Sequence, residues 1–111
     1  MNEIVKTSNT PIYLCGAPTD MRLGLPGLEK KIKDETKRDP KKRGLYVFVS
    51  KNFHRMKLFY WDGNGFAMWY KAVANGVFRV ERVGGYKAIT GVNLKALVSA
   101  KETPKVEGKR E

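Results

Sequence analysis

The stretch Leu45-Tyr46-Val47-Phe48-Val49, followed after a polar break by Met56-Lys57-Leu58-Phe59-Tyr60-Trp61-Asp62-Gly63-Asn64-Gly65-Phe66-Ala67-Met68-Trp69-Tyr70-Lys71, decides the fold class. Its β-branched and aromatic residues come in short runs, which suits pleated strands better than helices. Asp62-Gly63-Asn64-Gly65 is the strongest turn signal in the chain, because glycine and asparagine accept the positive φ of a tight hairpin. The reading is a strand over Leu45–Val49, a second over Met56–Trp61 and a third over Phe66–Val73. Asn75-Gly76 predicts another hairpin turn, with Val77–Val80 returning as a fourth strand. If Trp61 opposes Phe66, then Lys57, Phe59 and Trp61 share a face with Phe66, Met68 and Tyr70. Met56, Leu58 and Tyr60 then share the other face with Ala67, Trp69 and Lys71. Neither face is plainly polar, so both are expected to be covered in part.

Working outward, Ile12 to Leu14 form a short apolar run ended by Gly16 and Pro18, which predicts a first strand. Met21, Leu25, Leu28 and Ile32 recur at helical spacing. Gly24, Pro26 and Gly27 interrupt the early part, so the helix is expected to start near Pro26 and to stop before Asp39-Pro40. Beyond Gly84-Gly85, Ala88-Ile89 reads as extended, and Thr90 as the N-cap of a last helix with Leu94, Leu97 and Val98 on one face. The expected class is α+β: an antiparallel β-meander of four to five strands with an N-terminal and a C-terminal helix packed on one face. One domain over 12–100 is expected, preceded by a flexible segment, 1–11, and followed by a disordered polar tail, 101–111.

Hydrophobic residues make up 41% of the 111, enough for a core, which excludes wholesale disorder. Lysine and arginine number 22 against 11 acids, and the imbalance is concentrated. Residues 41–100 hold eleven bases and only Asp62 and Glu81 as acids. Arg43, Lys51, Arg55, Lys57, Lys71, Arg79, Arg82 and Lys87 lie there among Tyr46, Phe53, Tyr60, Trp61, Trp69, Tyr70 and Tyr86, and Lys41 and Lys42 join them at the entry to the strands. Cations neutralise phosphates and aromatic faces stack on bases, so the mixture suits nucleic acid. The competing reading keeps the aromatics as core and the cations as solvated surface. The run Lys30-Lys31-Ile32-Lys33 alternates with Glu29, Asp34 and Glu35 and reads as a solvated helix face.

Catalytic groups are scarce. Cys15 is the lone cysteine and His54 the lone histidine, which removes a disulfide, cysteine-rich zinc sites and most nucleophilic triads. Nothing in the spacing brings His54 and Cys15 together. Two-metal strand transfer needs clustered carboxylates. Outside charge-mixed segments only Asp20 and Asp62 are candidates, and Asp62 sits in a turn that favours aspartate for backbone reasons. Asp20 followed by Arg22 reads either as a turn cap with its paired base or as an anion site, with capping favoured by spacing. No enzyme activity, metal or cofactor is expected. The opening MNEIVKTSNTPIYL lacks a signal-peptide pattern and no run approaches a membrane span, so the cytosol is the expected compartment.

The run Tyr13-Leu14-Cys15-Gly16-Ala17-Pro18-Thr19-Asp20-Met21-Arg22 resembles the opening of the TnpB-type, Orf2-like proteins of the insertion sequence sixty-six family. The strand Leu45–Val49 and the aromatic segment Met56–Lys71, with its Trp61-Asp62-Gly63-Asn64-Gly65-Phe66 core and closing Tyr70-Lys71, resemble that family's central motif. Phe78 and the helix over Thr90–Val98 match its later features, so the similarity spans roughly 12–99. Ala17 stands where glycine is usual, and Leu23, Leu25 and Pro26 depart from the pattern after Met21-Arg22. The resemblance implies an accessory factor of transposition, encoded beside a separate and larger transposase that carries the catalytic acids. It carries no catalytic role over to any residue here. Two expectations follow. In one, the basic aromatic region binds DNA. In the other, the protein docks the transposase or another element-encoded protein, with Trp61, Phe66 and Trp69 in an exposed apolar patch.

Overall fold

The computed structural model describes residues 10–100. The expected flexible start and polar tail therefore fall largely outside the described residues. The elements in order are β1 (Ile12–Cys15), α1 (Leu25–Thr36), β2 (Leu45–Val49), β3 (Arg55–Trp61), β4 (Phe66–Ala72), β5 (Tyr86–Ile89) and α2 (Gly91–Ser99). The five strands form one sheet in the order β4-β3-β2-β1-β5.

The class is α+β, and β2, β3 and β4 form the expected antiparallel meander. Trp61 opposes Phe66, so the alternation over 57–61 and 66–70 is the one expected. Three features differ. First, β1 pairs with β2 in parallel, Ile12 opposite Leu45. A parallel pair needs a crossover of a dozen or more residues, and α1 supplies it. Second, the helices lie on opposite faces. Leu28 and Ile32 of α1 cluster with Cys15, Tyr46, Phe48 and Phe59. Leu94 and Leu97 of α2 cluster with Ile12, Leu14, Leu45, Val47, Val49, Met56 and Leu58. All five residues of β2 are buried, as a strand covered on both faces must be.

Third, Val77–Val80 is not a strand. After β4 the chain must reach β5 at the opposite edge, four strand spacings or about 19 Å away. Residues 73–85 make that crossing in irregular backbone. Phe78 anchors it, fully buried in the α2-side core, with its N–H donated to the Phe53 carbonyl at 2.8 Å. An apolar run that reads as a ladder strand here serves to seat one ring.

Both helices follow local rules. The α1 surface carries three i,i+4 ion pairs, Glu29 with Lys33, Lys30 with Asp34 and Lys31 with Glu35, so its charged run is a surface face that cancels its own charge. Thr90 caps α2 in a capping box with Asn93. The crossing segment also presses on Gly16, whose N–H bonds the Gly85 carbonyl at 2.9 Å. A Cβ at Gly16 would run into the Val83 carbonyl oxygen. Gly16→Ala is therefore expected to destabilise the fold by about 1–3 kcal/mol in urea unfolding, as overpacked sites do.

Candidate nucleic-acid interface

The basic residues clustered along the sequence separate in space. At the end of the sheet where β2 stops, the turn Ser50–Arg55 stands beside the loop after β1. Thr19, Asp20, Met21, Arg22, Ser50, Lys51, Asn52 and Arg55 line an open groove of about 650 Å³ there. The turn is held by Asn52, whose Oδ1 accepts from the Ser50 hydroxyl at 2.8 Å and the His54 N–H at 3.1 Å. Phe53 takes a left-handed φ of 66° within it. Lys51 and Arg55 are exposed at this pole.

Asp20 and Arg22 form a closed pair. The Asp20 carboxylate accepts from the Arg22 backbone N–H at 2.9 Å and from the guanidinium Nη2 at 2.8 Å. Those bonds hold the Asp20 carboxyl at about 2, against an ordinary 3.8. This is turn capping, as the spacing favoured. The opposite pole lies where β2 begins and β3 ends, Leu45 opposite Tyr60. Lys41, Lys42 and Arg43 are exposed there, and the Lys41 amine sits 5.5 Å from the centre of the Trp61 ring.

Three of the expected phosphate contacts are internal ties instead. Lys57 is only 7% exposed, and its amine donates to the Met21 and Leu23 carbonyls, each at 2.7 Å. Lys71 donates to the Val98 carbonyl at 2.9 Å near the end of α2. Arg82 donates to the Gly16 and Ser50 carbonyls and stacks 4.4 Å from the centre of the Phe53 ring. Burying a cation is costly unless its protons are bonded, and carbonyls left open by loops supply the bonds. Arg79 and Lys87 stay exposed, but they belong to the α2 side and line one cavity of about 250 Å³ with Glu81, which pairs with Lys87 at 3.5 Å.

Between the poles runs an aromatic strip. Trp61, Phe66, Met68 and Tyr70 lie on the α1 side of β3 and β4, and α1 covers the inner strands and reaches β4, with Phe66 packed against its cluster. Trp61 meets Phe66 edge-on with centroids 4.9 Å apart, and Phe66 stacks on Phe59 at 4.8 Å. Tyr70 is 49% exposed and the buried Lys57 amine lies 5.7 Å from its ring centre. Trp69 points to the other face and packs against the α2-side core, so it is apart from Trp61 and Phe66. Met68 is not among the expected site residues; the hairpin register holds its signal. Asp62 is exposed in the β3–β4 turn, its N–H bonded to the Gly65 carbonyl at 2.8 Å.

Cys15 is buried beneath Thr19, whereas His54 is exposed in the turn at 50–55. Among the described residues, no three His, Cys, Asp or Glu side chains gather as a metal site, and no helix is long and apolar enough to cross a membrane.

A small mixed sheet between two helices, basic at both ends of one face, is the class of domain this geometry defines. The chain belongs to the IS66 Orf2-like proteins, whose family model matches residues 10–107. That membership connects it with insertion-sequence transposition. It is similar to the uncharacterised protein y4hO of Sinorhizobium fredii (strain NBRC 101917 / NGR234), 29% identical over 92 residues that cover 82% of this chain and 80% of that one. No solved structure matches the chain.

Two predictions test the architecture of this pole. Lys57→Met keeps the apolar stem but leaves two partly buried carbonyls without their donor; a loss of about 1–3 kcal/mol is expected in chemical unfolding. Because the Asp20 pKa is lowered on folding, its stabilising charge is intact above the ordinary carboxylate range and is lost as pH falls through about 2. A carboxyl-detected NMR titration should find that midpoint, and Arg22→Ala should move it up toward 3.8.

Proposed function

We propose that the protein is a non-catalytic accessory factor of insertion-sequence transposition that binds DNA through the two basic poles. One observation carries this reading. The acids of α1 are each matched to a lysine of the same helix, and Asp20 is matched to Arg22, so these acids do not offset the cations at the poles. Lys51 and Arg55 at one end and Lys41, Lys42 and Arg43 at the other are exposed. Such loop cations meet phosphates at little desolvation cost and release condensed counterions, a sequence-independent source of affinity. The poles are about 20 Å apart, judged from the six residue steps of β3 between Arg55 and Trp61.

A second reading has an observation of its own. Met68 is 37% and Tyr70 49% exposed, so the strip also suits an apolar patch on a transposase or another element-encoded protein. The strip is small for a stable interface, which buries about 800 Å² on each partner. Pull-down of the transposase with nuclease-treated protein, unaffected by charge removal at the poles, would favour docking.

Titration of a labelled element-end duplex at several salt concentrations tests the DNA reading. Affinity should fall with salt at a log–log slope of about −0.9 per phosphate contacted. Lys51→Ala and Arg55→Ala should each make the slope shallower by about 1, whereas Lys71→Met should leave it unchanged. No binding at low salt, or binding indifferent to salt, refutes the proposal.

A further inference from the structure

We infer that the strip Trp61, Phe66, Met68 and Tyr70 is a stacking platform for unpaired bases, so that the preferred nucleic acid is single-stranded. This rests on the DNA-binding reading above and names its substrate. The strip is open in part: Met68 and Tyr70 are exposed, whereas Trp61 and Phe66 are half-buried. The ladder from Arg55 opposite Ala72 to Trp61 opposite Phe66 puts these side chains on one side of the outer two strands. Leu28 and Ile32 of α1 pack with Cys15, Tyr46, Phe48 and Phe59, and the helix reaches β4, where Phe66 packs against the same cluster and Met68 and Tyr70 stay exposed. The same strands are held from behind, since Trp69 packs against the α2-side core and Lys71 ties to Val98. The outer strand is thus a supported shelf whose front carries rings.

Each end ring has a cation beside it, Lys41 at Trp61 and Lys57 at Tyr70. Lys57 is itself immobilised by the Met21 and Leu23 carbonyls, so its charge stands at a fixed place over the Tyr70 ring. Arg55 continues the row one alternate position beyond Lys57 and is exposed. From Lys57 to Trp61 is four strand steps, about 13 Å, room for a few bases laid along the strip with phosphates reaching a pole at either end.

Chemistry separates the two nucleic-acid forms. In a duplex the base faces are occupied by stacking on one another, and aromatic side chains on a sheet would meet only sugar and phosphate. An unpaired strand offers its base faces, and sheet-borne aromatics bind them with little sequence preference. The poles alone would hold either form, because both carry phosphates.

The test is fluorescence anisotropy of the full chain with a labelled single-stranded oligonucleotide, the same sequence as duplex, and an abasic strand of equal charge, all at one salt concentration. The single strand is expected to bind at least tenfold more tightly than the duplex or the abasic strand. Tyr70→Ala should weaken single-strand binding about tenfold without changing duplex binding, and Tyr70→Phe should restore it. Tyr70 is half-exposed, so the variant keeps its fold, which circular dichroism checks. Arg55→Ala should weaken both forms alike. Duplex or abasic binding as tight as the single strand, or equal loss on both forms from Tyr70→Ala, would overturn the stacking inference while leaving phosphate binding at the poles intact. Failure of all three ligands to bind would overturn both.

Discussion

Burial of Leu45-Tyr46-Val47-Phe48-Val49 on both faces at once is the constraint from which the rest of the architecture follows. Leu45, Val47 and Val49 turn to one side, and Tyr46 and Phe48 to the other. Each side needs an apolar cover, because leaving several large side chains in water would forfeit roughly 1.5–3 kcal/mol apiece. One amphipathic helix covers each. For α1 to reach its side between two neighbouring strands, β1 and β2 must run parallel. For α2 to reach the other, the chain must leave the β4 edge and cross to β5, which is why residues 73–85 carry Phe78 as an anchor instead of another ladder strand.

The same economy sorts the cations. A lysine or arginine whose stem is drawn into the packing must find carbonyls for its protons, and Lys57, Lys71 and Arg82 each find them at a loop or helix end. They become ties between elements distant in sequence. Lys51 and Arg55 at one pole and Lys41, Lys42 and Arg43 at the other stay exposed. The basic character of the central region therefore serves two purposes, fastening and surface charge, and the division is drawn by whether a loop or helix end brings backbone carbonyls to the cation.

Family membership gains a physical sense from one of these ties. The two stretches that carry the resemblance, Tyr13–Arg22 and Met56–Lys71, are joined where the Lys57 amine holds the Met21 carbonyl. Gly16 in the first stretch is needed small because the Val83 carbonyl passes over it, and Asp20 and Arg22 close their own turn. The first motif is thus built as a loop clamped to the second, beside the groove with Lys51 and Arg55.

By itself the sequence determined the local features: the hairpin at Asp62–Gly65 with Trp61 opposite Phe66, the helix through Leu28 and Ile32, the Thr90 cap, and the concentration of charge in residues 41–100. Each of these depends on neighbours a few residues apart, whose spacing and turn chemistry are written in order. Tertiary structure alone decided that Val77–Val80 crosses the sheet, that the helices take opposite faces, and that Lys57 is fastened while Lys51 and Arg55 are exposed. A lysine reads the same in sequence whether a carbonyl 34 residues away will meet its amine or water will. Partners that far apart are set by which strands lie side by side, and that order comes from burying both faces of β2.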